Sequence, residues 1–376
     1  MKKISIVLLC TLLLLTSCLP NRNDDEVLQN DETETKTSIV PSHRLSEEEY
    51  RIVLPYETSK ARGVIVNQVA NRVDIYEMEE GLRRHSKEVF NPDELYFQEG
   101  QYLTEDMVFD MITEMNPKID RDKTEDMDLE EAADVFRDNP RYLSHILEQN
   151  YLKPGEDNVV ELAGVSIGIA LKSVYRFQPQ IGSPYFEEEI PFQEMMEQGK
   201  EIAQKVLEQL RSIEGLTNVP VFIALYREES QASPVPGNYV AKTLVPAGDF
   251  SIKDWESINE EYVLFPSDEG KEKYLEDHEI ITSFGSEIAS FFPNYVGVVG
   301  EGFYIDEELQ TLTIEIPIEF NGSAEIVGFT QYVYGLIQDM FPNYYDLEVR
   351  VTSSEKIESL LTRDAGEDEV NVHILH

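Results

Sequence analysis

Cys18 is the side chain whose surroundings define a chemistry. It stands directly after Leu15-Thr16-Ser17, which close an apolar run over residues 4–15 that itself follows Lys2 and Lys3. A short positive region, an apolar stretch and small residues before a cysteine form the pattern of a bacterial lipoprotein signal. Read this way, a lipoprotein diacylglyceryl transferase loads the Cys18 thiol with diacylglycerol. A signal peptidase then cuts ahead of it, and Cys18 becomes the first residue of the mature chain. The apolar run is shorter than the roughly 20 residues that a membrane-spanning helix needs. Two acyl chains on one residue supply the two anchors that lasting attachment requires. The expected location is the outer face of the cytoplasmic membrane, held there by lipid. The competing reading is an ordinary secretion signal with Cys18 present by chance.

Other patterns in the body of the chain could carry chemistry. Gly164-Val165-Ser166-Ile167-Gly168 matches G-x-S-x-G. A nucleophile elbow needs a sharp strand-to-helix turn at the serine, yet the apolar alternation runs on to Val174. Ser166 therefore reads as a strand residue, and none of the six histidines is tied to it by spacing. Asp120, Asp122, Thr124, Asp126, Asp128 and Glu131 fall at the ligand positions of a calcium-binding loop. The place that needs glycine for the tight turn holds Glu125, so the competing reading is an acidic segment between helices. The histidines form no H-x-x-x-H or H-E-x-x-H pair for zinc. Gly297, Gly300 and Gly302 lack the Gly-Lys-Ser/Thr of a phosphate-binding loop and read as turn or close-approach positions. Trp255, the single tryptophan, is either core or a platform for a ligand. No catalytic residue, metal or cofactor is assigned beyond the diacylglycerol on Cys18.

Charge and thiol content narrow the classes. The 376-residue chain holds 73 acidic and 31 basic residues; without residues 1–17 it keeps 29 basic ones, a net charge near −44. Such a surface does not grip nucleic acid, which demands clustered Lys and Arg. It is repelled by anionic lipid and wall polymers and attracts cations, basic peptides or basic proteins; the competing reading of the charge is solubility alone. Cys10 leaves with the signal and Cys18 carries lipid, so no disulfide and no thiol nucleophile remain. The body must be held by core burial, and it is long enough for two domains.

The elements that position these residues can be read in order. Residues 18–45 are polar and acid-rich without an apolar period, as in a disordered tether. Residues 51–54 read as a strand, 64–66 as a strand or buried turn, 78–90 as a helix and 96–103 as a short aromatic strand. Thr104 caps a helix bearing Met107, Val108, Met111, Ile112 and Met115, ended by Asn116-Pro117. Residues 129–136 form a second helix. Asn139 and Pro140 open a third, with Tyr142, Leu143, Ile146 and Leu147 on its apolar face. Residues 159–177 are β-rich, Pro191 opens the most amphipathic helix, with Gly215 behind it, and 219–226 is a strand. Beyond a Pro-containing loop at 230–237 come a helix at 279–292, a strand at 309–320, a helix at 324–341, a strand at 347–352 and a short helix at 354–362.

Each half sets an aromatic stretch with Gly and Tyr before a strand, an amphipathic helix and another strand. The two stretches are Glu99-Gly100-Gln101-Tyr102 and Glu301-Gly302-Phe303-Tyr304. The order suggests a diverged duplication, against two unrelated α+β domains. The expected organisation is a signal at 1–17, a lipidated tether at 18–45, a first repeat with a helical insertion at 46–237 and a second at 238–376. The fold class is α+β or α/β, two related α/β repeats packed side by side after the tether.

Several segments together resemble a known family. Arg51-Ile52-Val53-Leu54-Pro55-Tyr56, Lys60-Ala61-Arg62-Gly63, Asp74-Ile75-Tyr76-Glu77-Met78-Glu79-Glu80-Gly81-Leu82 and Gln98-Glu99-Gly100-Gln101-Tyr102-Leu103 are similar to the CamS surface lipoproteins. These are described as sex-pheromone precursors of low-GC Gram-positive bacteria. The resemblance covers most of the mature chain and contains no catalytic motif. It implies two related α/β repeats. It also implies that a short peptide from the end of the signal is released and acts on plasmid-bearing cells. The matching residues are Thr11, Leu12, Leu13, Leu14, Leu15, Thr16 and Ser17. They lack the aromatic residue of the family's active peptides, so release followed by degradation is the competing outcome; a flexible aliphatic peptide offers a receptor few specific contacts. For the body, three readings stand. The expectation is a non-enzymatic, membrane-anchored lipoprotein. The alternatives are a binding or chaperone-like module for a wall component or peptide, using a cleft between the repeats, and a wall hydrolase with two carboxylates at a fixed separation.

Overall fold

The computed structural model describes residues 25–30, 35–41, 46, 49–69, 71–155, 159–292, 294–320, 322–354 and 356–375. The strands of the first part are β1 (Asp25–Asn30), β2 (Thr35–Val40), β3 (Arg51–Ile52), β4 (Tyr96–Glu99), β5 (Leu143–Pro154), β6 (Val160–Lys172), β7 (Val174–Phe177), β8 (Phe186–Glu189), β9 (Val221–Glu228), β10 (Asn238–Val245) and β11 (Glu256–Ser257). Those of the second are β12 (Glu260–Phe265), β13 (Val299–Ile305), β14 (Glu308–Pro317), β15 (Asp346–Thr352), β16 (Ile357–Arg363) and β17 (Asn371–Ile374). The helices are α1 (Arg62–Gln68), α2 (Arg72–Ser86), α3 (Glu105–Met115), α4 (Arg121–Glu125), α5 (Leu129–Arg137), α6 (Phe192–Ser212), α7 (Asp268–Lys273), α8 (Leu275–Phe291) and α9 (Ser323–Met340).

Two large mixed sheets repeat one connection pattern. In the first, β4, β5 and β6 pair antiparallel, the chain crosses through α6 to a parallel β9, and β10 and β11 follow antiparallel. In the second, β12, β13 and β14 pair antiparallel, α9 leads to a parallel β15, and β16 and β17 follow antiparallel. The two related repeats expected from the sequence are present as this shared topology. Their counterparts are not the ones expected. Glu301-Gly302-Phe303-Tyr304 lies in β13, which matches β5, whereas Glu99-Gly100-Gln101-Tyr102 lies at the end of β4 and in the turn beyond it. The border is also displaced. β10 pairs with β9 from Asn238↔Arg227 to Val245↔Val221, so the first sheet runs to Ser257 and the second starts at Glu260.

Cover differs between the sheets. On one face of the first, Met111, Ile112, Phe136, Ile202, Val206 and Leu210 from α3, α5 and α6 pack on Val165, Ile167, Ile169 and Ile223. On the other, Met78 and Leu82 of α2 pack on Leu147, Tyr151, Phe222 and Tyr226. In the second sheet α8 and α9 cover one face, with Phe284, Ile288, Phe329 and Val333 on Leu312, Ile314, Ile316, Val349 and Val351. Double cover explains one error of the sequence reading. Residues 139–147 were expected to open a helix, but β5 is buried from Leu143 to Leu152. A strand covered on both faces loses its alternation, and its apolar residues fall by chance at helical spacing. Residues 64–66, expected in a strand or buried turn, belong to α1. Residues 354–362, expected as a short helix, form most of β16.

Residues 18–45, expected to be a disordered tether, contain the antiparallel pair β1–β2, from Asp25↔Val40 to Asn30↔Thr35. Backbone pairing makes little demand on side-chain polarity, which is why composition did not announce it. The ladder joins the body at its end. Ile39 and Leu54 exchange backbone hydrogen bonds of 2.7 and 2.8 Å, and Val40 is buried among Val53, Tyr96, Leu152 and Val160. Among the described residues no helix is long and apolar enough to cross a membrane.

Candidate functional site

Cys18 and residues 11–17 lie outside the described residues. The acidic stretch 120–131 is partly helical, since α4 occupies residues 121–125. Asp120 holds Lys123 at 2.9 Å, the buried Thr124 donates its hydroxyl to the Arg121 carbonyl at 3.0 Å, and Asp128 caps α5 by accepting from the Glu130 N–H at 3.1 Å. Asp120, Thr124 and Asp128 are thus committed locally. Among the described residues no group of three or more His, Cys, Asp or Glu surrounds one point. The stretch contains α4 and runs into the first turn of α5.

Ser166 is buried in the middle of β6 and its hydroxyl lies 2.7 Å from that of Ser86. The strand continues through it to Lys172, without an elbow. The preceding Gly164 has a packing reason: a Cβ there would overlap the Phe90 ring, which stacks on Tyr151 at 4.5 Å. Trp255 is half-buried at the rim of the first core, beside a cleft on the same sheet.

The structure brings together ionic groups that the sequence did not single out. They lie where α2 meets the second sheet. Arg84 Nη2 is 2.7 Å from Glu77 Oε1 and 3.2 Å from Glu260 Oε2. His85 Nε2 lies 3.0 Å from the other Glu260 oxygen, and Tyr262 donates its hydroxyl to Glu77 Oε2 at 2.6 Å. The guanidinium also sits 4.6 Å from the Phe303 ring centroid. Both carboxylates belong to buried residues, each 5% exposed. Burial pushes Glu77 above the usual carboxylate range, against the pull of Arg84. Burial would also raise Glu260, but its contacts with His85 and Arg84 outweigh that and hold it low. A hydrolase of the two-carboxylate type needs its acids to flank a substrate. Glu77 spends both oxygens on Arg84 and Tyr262, and Glu260 spends one on Arg84 while its other lies beside His85 without a hydrogen bond; the cluster ties α2 to β12. No spacing rule links Arg84 to Glu260 across 176 residues.

Asp74, on the same helix, is a second perturbed acid. It accepts from the Tyr226 hydroxyl and the Gly237 N–H, both at 2.7 Å, while its other oxygen has no partner among the described residues. Burial raises its pKa to about 6. The folded state therefore holds this proton more tightly than the unfolded chain. The resulting stabilisation is complete below about pH 4 and is lost as pH climbs to about 6, in all about 2–3 kcal/mol. Denaturant titrations from pH 4 to 7 should show the native chain losing that amount relative to Asp74→Asn. Parallel curves would refute the assignment.

Residues 56–369 match the family model described as CamS sex pheromone cAM373 precursor. The fold is similar to the crystal structure of a sex pheromone precursor from Lactobacillus salivarius subsp. salivarius, with 28% identity, a TM-score of 0.80, and 89% of this chain and 98% of that one covered. It is also similar to the C-terminal domain of the sex pheromone staph-cAM373 precursor from Staphylococcus aureus, with 26% identity, a TM-score of 0.67, and 82% and 99% covered. A search of curated protein sequences finds no match.

Proposed function

The chain belongs to the CamS sex pheromone cAM373 precursor family, and from that premise we propose that it is made as a surface lipoprotein whose leader also yields a peptide signal. The observation that carries this reading is the succession of Lys2-Lys3, the apolar run and Ser17-Cys18 ahead of a body of that family. In this reading the transferase attaches diacylglycerol to Cys18 and the signal peptidase cuts before it. Residues 11–17 are trimmed from the leader. The acidic body stays on the outer face of the cytoplasmic membrane, where its work is binding and not catalysis. In support, Glu77 and Glu260, a buried acid pair, share Arg84 and lie inside the fold, each 5% exposed.

Growth with a labelled fatty acid tests the anchor. The native chain and Cys10→Ser should take up label, and Cys18→Ser should not. Label that persists on Cys18→Ser, or a mature native chain with an unmodified Cys18, would overturn the anchor. A plasmid-transfer assay with synthetic Thr-Leu-Leu-Leu-Leu-Thr-Ser tests the signal. Transfer above that seen with a scrambled peptide supports it. An equal response removes the signalling role and leaves the anchor standing.

A further inference from the structure

From the geometry around Trp255, we infer that the first repeat carries a cleft for a basic peptide segment. Helix α2 ends at Ser86 and leaves part of its face of the first sheet bare. There Leu244 forms the floor of a cleft of about 440 Å³, with the buried Phe222 beneath it. Leu244 is 47% exposed although it sits within β10. One wall is the turn after α2, with Glu88. The other is the connection between β10 and β11, which presents Trp255.

That second wall is held in place before any ligand arrives. Arg211 donates to the carbonyls of Pro246 and Asp249 at 2.9 and 2.8 Å. Gln204 pins the middle, donating to the Phe250 carbonyl at 2.9 Å and accepting from the Ile252 N–H at 3.0 Å. Thr243 donates its hydroxyl to the Asp254 carbonyl at 2.7 Å. A wall fixed in advance lowers the ordering cost of binding.

The charges select the occupant. Glu88, Asp249, Asp254 and Glu256 face two lysines in the cleft. Lys242 is already held by Glu88 at 2.5 Å and Glu256 at 3.4 Å, and Lys253 by Asp249 at 2.9 Å. Asp254 has no ion pair among the described residues, and Glu256 is largely exposed. The surplus is negative, at the rim of an apolar floor beside an indole. A Lys or Arg side chain matches all three features: its stem lies on apolar surface, its head meets carboxylate, and its charge is attracted by the ring. Apolar residues between the basic ones would meet Leu244. Anionic polymers are repelled.

The inference does not depend on the lipid anchor, and Trp255, the sole tryptophan, gives it a local readout. Acetyl-Lys-Leu-Lys-Leu-Lys-amide titrated into the full chain should change tryptophan emission saturably, and more weakly as salt rises. The Glu-for-Lys peptide should leave emission unchanged. Peptide held elsewhere on the acidic surface leaves Trp255 unmoved. Asp254→Asn with Glu256→Gln should weaken the response about fivefold to tenfold, with unchanged circular dichroism. Lys242 keeps Glu88 in that variant. No saturable change, an equal response to the acidic peptide, or full affinity in the double variant would overturn the proposal. A response to chitotriose in place of the peptide would also overturn it, by assigning the cleft to glycan.

Discussion

Arg211→Ala is expected to lower folding stability by about 4–5 kcal/mol, judged from four hydrogen bonds made by a charged donor and the acceptors left buried behind it. Arg211 is 3% exposed and makes no ion pair among the described residues, the nearby Asp249 charge only partly offsetting its burial. Its guanidinium reaches the carbonyls of Leu216, Val219, Pro246 and Asp249 at 2.6 to 2.9 Å. These belong to two connections, one leaving α6 and one leaving β10, and the side chain fastens both to the helix. Burial holds its pKa below the usual arginine range, yet the four carbonyl dipoles keep the charge in place. Arg211→Lys offers three donors from a single point, which does not span four diverging carbonyls. Its stability should recover less than half the loss. Urea unfolding reads both values, and Trp255 emission should shift to the red as its wall loosens. A loss below about 1 kcal/mol in the alanine variant would mean that water satisfies the carbonyls instead.

Arg84→Met is the second large effect, about 3 kcal/mol, the lower end for breaking a buried pair because water reaches one side of Arg84. The variant removes the guanidinium that Glu77 and Glu260 share, and Glu77 loses its charged partner while Glu260 keeps only His85 beside it. A triple variant, Arg84→Met with Glu77→Gln and Glu260→Gln, removes the stranded charges and should recover much of the loss. The sign with pH also follows. Without Arg84, Glu77 loses the cation that opposes its burial and its pKa rises further, so the single variant should regain stability as pH falls from 7 to 5, relative to the triple variant. A triple variant no better than the single one would show that Arg84 acts through packing on Phe303 and not through charge.

The sequence was most legible where an element has one wet face. The helix capped by Thr104, which accepts from the Met107 N–H, and the long helix after Pro191 show their buried stripes directly. So does β14, with Leu312, Ile314 and Ile316 inside and polar residues between them. Legibility fails where both faces are covered, as in β5. It also fails where a charge is buried on purpose. In β16 the inward residues include Arg363, which donates to the Phe341 and Pro342 carbonyls at the end of α9. A charged residue at an inward position broke the strand's alternation, and Ile357, Leu360 and Leu361 then mimicked a helix. The border between repeats was hidden for another reason. Pairing of β10 with β9 is a long-range event that no local proline content reports. Among 73 acidic residues, nothing marked Glu77 and Glu260 as the two that meet.

Were Cys18 lipidated as proposed, the β1–β2 ladder would set the standoff of the molecule. With the anchor proposed at Cys18, six residues separate the lipid from Asp25. At about 3.5 Å per residue, six residues span at most roughly 20 Å. A fully unstructured stretch through residue 45 would reach on the order of 90 Å. The ladder is itself stapled to the body through Ile39 and Leu54. Anchored in that way, a strongly anionic particle would ride within a few Debye lengths of the bilayer. Repulsion from acidic headgroups would then orient it, and a partner would have to come down to the membrane to meet it.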